Sequence, residues 1–556
     1  MTWSQVYDPL GNAALSTIVA AFPVVVLLSS IALLKIRIHY AALLGLAVAL
    51  IIALFVYRMP ANAAIATTVY GAAYGLFPIG WIILNLIFLY QLTVKKGLFE
   101  VLRSNLATLA PDPRIQVILI AFCFGAFFEG AAGFGTPVAV TAAILMQLGF
   151  KPLQACGLSL IANTAPVAFG ALGTPIIALQ RVTDIDLLAL SKMVGRQLPF
   201  FSVIVPFWVV WAFVGFRGMI EVWPAALVAG VAFAVPQFVV SNFHGPWLVD
   251  IVSSVCSMAA VVGLLKVWQP GSAALQRGKL QDIPVSQPST NAGLTDPSLV
   301  RKAWAPWIVL SLLVFAWGIP KYQKAVDRIS APSFKVPALH QVVVRTPPVV
   351  RRSTPEKPTK PEDAIFKLNW LSATGTGILV AALIGGFVMG FSMREMLSTY
   401  GETLYRVRFS LVTIAAMLSL GYVTKYSGTD ATLGLALAKT GSLYPFFGTL
   451  LGWLGVALTG SDTASNVLFG SLQKITAEQT GVNPVLMAAA NSSGGVMGKM
   501  VDAQSIVVAS TATNWYGHEG AILRYVFFHS IALASLVGIL VYLQARVEPF
   551  TAMAVK

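Results

Sequence analysis

Runs of mostly apolar residues recur along the whole chain. A bilayer crossing needs about 20 such residues. Runs of that kind lie near 16–34, 41–57, 75–92, 198–214, 224–240, 248–265, 304–318, 371–391, 409–423 and 522–543. A further apolar stretch, 61–74, follows a proline and reads either as a separate short helix or as the start of the next span. Two longer regions, about 115–180 and 443–513, are apolar too, but Gly, Pro, Ser, Thr and Asn interrupt them repeatedly. Each is too long for one helix and too broken for two smooth ones. The pattern predicts an all-α polytopic membrane protein of about 12 to 14 spans, in two repeat halves with broken helices.

The expected organisation is an N-terminal transmembrane half at 1–268, a loop-rich connector at 269–370 containing one span near 304–318, and a C-terminal half at 371–556. The connector's two long loops hold Pro-Ser-Thr and Pro-Pro clusters and read as poorly structured, without catalytic content. The stretch before the first span carries Asp8 and no Lys or Arg, so that span is not read as a secretory signal. The next loops carry Lys35 and Arg37, then only Arg58, then Lys95, Lys96 and Arg103. Cytoplasmic loops are the basic ones, so the alternation predicts an N-terminus outside the cytoplasm.

Composition narrows the class. Of 556 residues, 57% are hydrophobic and 11% charged, and mean hydropathy is +0.78. Soluble domains carry about 25% charged residues, so a soluble enzyme and a disordered chain are both excluded. The net charge of +15 concentrates between Lys266 and Lys367, where 15 basic and 6 acidic residues lie. Basic loops flanking spans account for it. Nucleic-acid binding would need exposed aromatics interleaved with the basic residues, and here the aromatics sit in the apolar runs. Cys123, Cys156 and Cys256 lie in apolar stretches without a C-x-x-C pair and imply no metal or cofactor.

The two broken regions resemble each other. The first reads Glu129-Gly-Ala-Ala-Gly-Phe-Gly-Thr-Pro137, an apolar helix, Gly149-Phe-Lys-Pro152, then Asn163-Thr-Ala-Pro-Val-Ala-Phe-Gly170. The second reads Gly460-Ser-Asp-Thr-Ala-Ser-Asn466, a helix, Gly481-Val-Asn-Pro484, then Asn491-Ser-Ser-Gly-Gly-Val-Met-Gly-Lys499. Glu129 to Gly149 is 20 residues and Asp462 to Gly481 is 19. Matching interruptions in two halves point to a transporter's binding site. Small residues for tight helix packing would explain the Gly and Ala, but not the Asn, Ser, Thr, Asp and Glu beside them, which are costly in lipid. Thr136 before Pro137, Asn163-Thr164 before Pro166, Ser461-Asp462 and Asn491-Ser492-Ser493 are N-cap candidates. Several helix N-termini facing one cavity would suit a small anion such as a carboxylate.

The blocks Phe124-Gly-Ala-Phe-Phe-Glu-Gly-Ala-Ala-Gly-Phe-Gly135, Asn163-Thr-Ala-Pro-Val-Ala-Phe-Gly170, Gly195-Arg-Gln-Leu-Pro199, Leu451-Gly-Trp-Leu-Gly455, Gly460-Ser-Asp-Thr-Ala-Ser-Asn466 and Gly498-Lys499-Met500 resemble the L-lactate permease family over essentially the whole chain. The resemblance implies a secondary transporter of the bacterial inner membrane that imports L-lactate, and often D-lactate and glycolate, together with a proton. It also implies inverted repeats with re-entrant hairpins. The chain departs from the family at Asp502-Ala503, where many members carry Ser-Pro, which bears on any role of Asp502 and on the helix start there. The alternative coupling ion is sodium, since unwound carbonyls with Asn, Ser and Thr side chains suit it equally well.

Individual residues then take candidate roles. Burial disfavours the charged form of a carboxyl, so Glu129, in an apolar run, is a candidate proton carrier. Its alternative is a group that locks the hairpin. Asp462 is either an N-cap or a proton or cation contact. His529 is a third candidate for proton coupling, weighed against a structural histidine. Arg196 and Lys499 are candidate counter-charges for the substrate. Arg196 could instead snorkel to the interface, and Lys499 could instead pair with Asp462 or Asp502. Thr136, Asn163, Thr164, Ser461, Asn466, Asn491, Ser492 and Ser493 form the expected polar lining for a hydroxy acid. No nucleophile–base or metal constellation for an enzyme is found.

Overall fold

The computed structural model describes residues 2–32, 34, 36–98, 101, 112–131, 133, 135–270, 296–318, 320–350 and 360–555. The chain is 79% helical with almost no sheet, as its apolar runs predict. Among the described residues nine helices are long and apolar enough to cross a membrane, and a bent pair, Pro152–Ala162 with Val167–Gln180, adds a tenth. Ala13–Leu27, Thr136–Gln147 and Thr374–Val388 are shorter apolar helices that the sequence count of 12 to 14 had included or implied.

The stretch 61–74 is not a separate helix. It continues through a π-helical turn, Gly75–Gly80, into Trp81–Lys95. Pro78 lies in that turn and Phe77 leaves helical geometry (φ −139, ψ 120), as a ring that lacks an N–H and crowds the preceding turn demands. Met393–Ser427 is also long. Its first half carries Arg394, Glu395, Glu402, Arg406 and Arg408, and only its second half is apolar. Ser392 and Glu395 close a capping box at its start, and Gly428 (φ 89) ends it in the left-handed conformation.

Both broken regions follow one order: helix, break, helix, Gly-x-x-Pro turn, helix, break, helix. In the first region these are Pro113–Gly130, Thr136–Gln147, Pro152–Ala162 and Gly170–Thr183. In the second they are Tyr444–Thr459, Asp462–Thr480, Pro484–Gly498 and Ala503–Ala512. The regions interlock. Gly170–Thr183 packs on Asp462–Thr480, and Thr136–Gln147 on Ala503–Ala512. Within the second region Tyr444–Thr459 crosses Pro484–Gly498 at glycines. A Cβ on Gly452 would lie 2.0 Å from the Asn491 carbonyl oxygen, and one on Gly494 2.1 Å from that of Thr449. Small residues let the two backbones meet without the gap a side chain would force.

The connector is more ordered than its composition suggested. Residues 271–295 and 351–359, which hold much of the expected loop sequence, lie outside the described residues. The rest forms a helix, Pro297–Gly318, a second helix, Pro320–Ser330, and a small cap. In the cap Trp3–Ser4 pairs parallel with Val343–Val344, and Ser333–Lys335 pairs antiparallel with Ile365–Lys367. Backbone hydrogen bonds in these short ladders, rather than apolar content, give order to a proline-rich stretch. The cap sits on the end of Met393–Ser427. The Gln5 side chain donates to the carbonyls of Lys425 and Tyr426, each at 2.9 Å, and the Tyr70 hydroxyl donates to the Ile365 carbonyl at 2.9 Å.

The glycine crossing predicts a stability difference. Gly452→Ala should lower the thermal midpoint in detergent by several degrees, because overpacking typically costs about 1–3 kcal/mol. Gly263→Ala, on a helix surface with nothing within 4 Å of its Cβ, should hold or raise it. Equal midpoints for the two variants would contradict the crossing.

Candidate functional site

Three of the four breaks are built by backbone that only a few residues tolerate. Gly133 (φ 61) and Gly135 (φ 84) turn the chain between Glu129 and Thr136, and Gly460 (φ 70) does so before Ser461. Gly135 and Gly460 are thus the residues that let one helix stop and the next begin. In the second break of the first region three successive residues, Ala171, Leu172 and Gly173, are left-handed (φ 45, 56 and 77). Non-glycine residues pay about 1–2 kcal/mol each for that geometry, and such strain concentrates at functional sites.

The breaks enclose one cavity of about 310 Å³. From the first region Glu129, Gly133, Gly170 and Ala171 line it; from the second, Gly460, Ser461, Asp462, Lys499 and Gln504 do. Helix Met393–Ser427 closes another wall with Met417, Gly421, Tyr422 and Lys425. The charged groups are held by specific partners. Glu129 is buried and accepts from Asn163 Nδ2 at 3.1 Å. A Cβ on Gly170 would fall 2.5 Å from Glu129 Oε1, so glycine there makes room for the carboxyl. Asp462 Oδ2 accepts from the Ser492 hydroxyl at 2.5 Å and from Asn466 Nδ2 at 3.3 Å. Lys499 Nζ donates to the Gly460 carbonyl at 2.6 Å and stands 3.6 Å from Asp502 Oδ2.

Behind the cavity a buried amide chain fixes these groups. Tyr444 donates to Gln473, Gln473 to Asn491 (3.0 Å), and Asn491 to Asn466 (2.9 Å), which reaches Asp462. Hydrogen bonds in series hold the members of a buried network in one geometry. A carbonyl of the first region joins it, since Asn466 also donates to Pro175 O at 3.2 Å.

The structure therefore brings Glu129, Ser461, Asp462 and Lys499 to the cavity wall, with Asn163, Asn466, Asn491 and Ser492 directly behind. Ser493 donates instead to Gln197 (2.6 Å), and the Thr164 hydroxyl to Ile161 O (2.8 Å). Thr136 is buried with no hydrogen-bond partner for its hydroxyl among the described residues and is not on the cavity wall. Arg196 lies elsewhere: it donates to Asn242 (3.2 Å) and Met553 O (3.0 Å). His529 also lies elsewhere, in an aromatic box of Trp208, Trp211 and Tyr525, where its Nδ1 accepts from Trp208.

Several capping expectations are corrected. Asn491, Ser492 and Ser493 lie inside helix Pro484–Gly498, not at a helix start, because the break comes later, at 499–502. Asn163 ends a helix, and Gly135 rather than Thr136 caps Thr136–Gln147. Ser461 is an N-cap, accepting from Ala464 N at 3.3 Å, which frees Asp462 for its side-chain partners. Asp502 caps Ala503–Ala512 by accepting from Ser505 N at 2.7 Å, so the departure from Ser-Pro leaves a good cap in place.

Lys425 and Tyr422 were missed. They fall at the end of an apolar run, where a lysine reads as an interfacial anchor. The spacing 417, 421, 425 would have placed Lys425 on the helix face carrying Gly421. The buried Asp250, packed on Gly130, was missed for the same reason.

Fold and site together define a polytopic membrane protein whose interrupted helices enclose a charged internal cavity. A family model described as L-lactate permease matches residues 16–548, and the chain belongs to that family. It is similar to glycolate permease GlcA of Escherichia coli (strain K12), 46% identical over 100% of both chains. It is likewise similar to L-lactate permease of Salmonella typhi, 44% identical over 98% of each chain. L-lactate permease of Bacillus subtilis (strain 168) is 44% identical over 98% of this chain and 99% of its own.

The cavity predicts an accessibility pattern. With Cys256, the exposed cysteine, replaced by Ser, a charged thiol reagent should modify Ser461→Cys and leave Asn491→Cys, fully buried behind the wall, unmodified. The reverse order of reactivity would show that the break does not open into the cavity.

Proposed function

We propose that this chain is a secondary active transporter that imports L-lactate, and also D-lactate and glycolate, by proton symport across the bacterial inner membrane. Membership of the family and the names of the relatives support the substrate class. The observation that carries the reading is a cavity walled by both broken regions, with Glu129, Asp462 and Lys499 around it.

The physical need is clear. A hydroxy acid has an acidity near that of an Asp side chain and is ionised at neutral pH. A bare anion in hydrocarbon is costly. Here break N–H groups, the Ser461 hydroxyl and a cavity lysine replace its hydration. Glu129 carries the accompanying proton, which makes the loaded cycle electroneutral. Asn163 and Gly170 hold that carboxyl in place without supplying it a positive partner. The two broken regions act as inverted repeats that alternate access around the fixed site, with the N-terminus outside the cytoplasm.

Uptake of labelled L-lactate into proteoliposomes tests this. An inward proton gradient should drive accumulation, and replacing sodium by choline at fixed pH should leave it unchanged; collapse in choline would transfer the coupling to sodium. Glu129→Gln should abolish gradient-driven accumulation while keeping lactate exchange across equilibrated vesicles. Full accumulation by that variant would remove Glu129 from the coupling.

A further inference from the structure

Of the two lysines on the cavity wall, one is already engaged. Lys499 donates to Gly460 O and stands beside Asp502, both within the second broken region. Its charge serves the break, where it neutralises a carboxylate and satisfies a carbonyl that the missing helical turn leaves open. Lys425 differs. It projects into the cavity from the 417–421–425 face of Met393–Ser427. Among the described residues its ammonium has no hydrogen-bond or ion-pair partner, and the Tyr426 ring lies 5.3 Å away.

The charged groups that act on it electrostatically are Glu362, Arg345 and Asp430. Glu362 is already matched by Arg345, at 3.1 Å. Asp430 is buried, and among the described residues neither of its carboxyl oxygens has a hydrogen-bond partner. The backbone at Lys425 is held by the cap, through Gln5. An unmatched ammonium on the wall of a cavity with low-dielectric sides is an attractor for anions.

We infer that Lys425 forms an anion-binding position in the cavity and takes the carboxylate of a small monocarboxylate, while Lys499 serves as a structural tie of the second break. This rests on the transport reading above and names the group that holds the substrate. Lysine there offers a point charge rather than a fork, and so grips a carboxylate while leaving the rest of the molecule to the Ser461 side of the cavity.

The test is equilibrium binding of labelled L-lactate and glycolate to the full chain in nanodiscs, with thermal stability measured on the same samples. Lys425→Ala should weaken both Kd values by roughly tenfold to a hundredfold, the usual range for a lost charge-assisted contact. Its thermal midpoint should stay near that of the unaltered chain, and Lys425→Arg should recover most of the affinity. Lys499→Ala should instead lose thermal stability. Should Lys425→Ala not be recovered as monodisperse protein, Lys425→Gln carries the same comparison. A Kd for Lys425→Ala or Lys425→Gln within twofold of the unaltered chain overturns the inference, as does a loss of thermal stability with the Kd retained, which would make Lys425 a partner of Asp430. Failure of the unaltered chain to bind either acid would instead strike the transport reading.

Discussion

Lipid offers no hydrogen bonds. A helix that stops within a membrane exposes N–H and C=O groups that must find partners inside the protein or in a watery space. This chain stops its helices four times within two regions, and the rest of the architecture answers that demand. The two regions interlock so that the stops face inward. The Lys499 ammonium satisfies the Gly460 carbonyl, Ser461 and Asp502 cap the helices that restart, and Asn466 reaches across to Pro175 O. The cavity is what remains where these obligations meet.

The same constraint explains the density of buried polar side chains. Gln473, Asn491, Asn466 and Asp462 run in series from the packed interior to the cavity edge. Such residues are expensive in a membrane unless every member is bonded. Their arrangement holds one carboxyl oxygen of Asp462 and leaves the other, Oδ1, without a hydrogen bond. Glu129 is treated alike, with Asn163 on Oε2 and a glycine beside Oε1. In both regions the protein grips a carboxyl by one side only.

Much of this was legible in the sequence. Continuous apolar runs place the spans, and Gly-Pro-Ser-Asn interruptions place the breaks, because hydropathy and helix-breaking chemistry are local properties. The order of helices and breaks along each region, from Glu129 to Gly149 and from Asp462 to Gly481, follows the sequence for the same reason. What sequence could not resolve is which side of a break a polar residue serves. Asn491, Ser492 and Ser493 look like caps but lie mid-helix, since glycines 494 and 495 allow a close crossing instead of ending the helix. Arg196 and His529 are as polar in the sequence as the cavity residues, but only tertiary packing decides that one faces Asn242 and the other Trp208, Trp211 and Tyr525. Lys425 was hidden by its position at the end of an apolar run, where cavity wall and bilayer surface read alike.

The cap joins the first residues of the chain to a strand some 340 positions later, Trp3 opposite Val343. In vectorial synthesis that partner leaves the ribosome long after the opening span has inserted. The N-terminal strand must therefore wait unpaired while the first half and the connector are made, and contacts of such separation close slowly. The cap at the Lys425 end of Met393–Ser427 is thus among the last pieces of the molecule to be assembled, and a bulky fusion placed ahead of Trp3 would burden that final step rather than the folding of the membrane core.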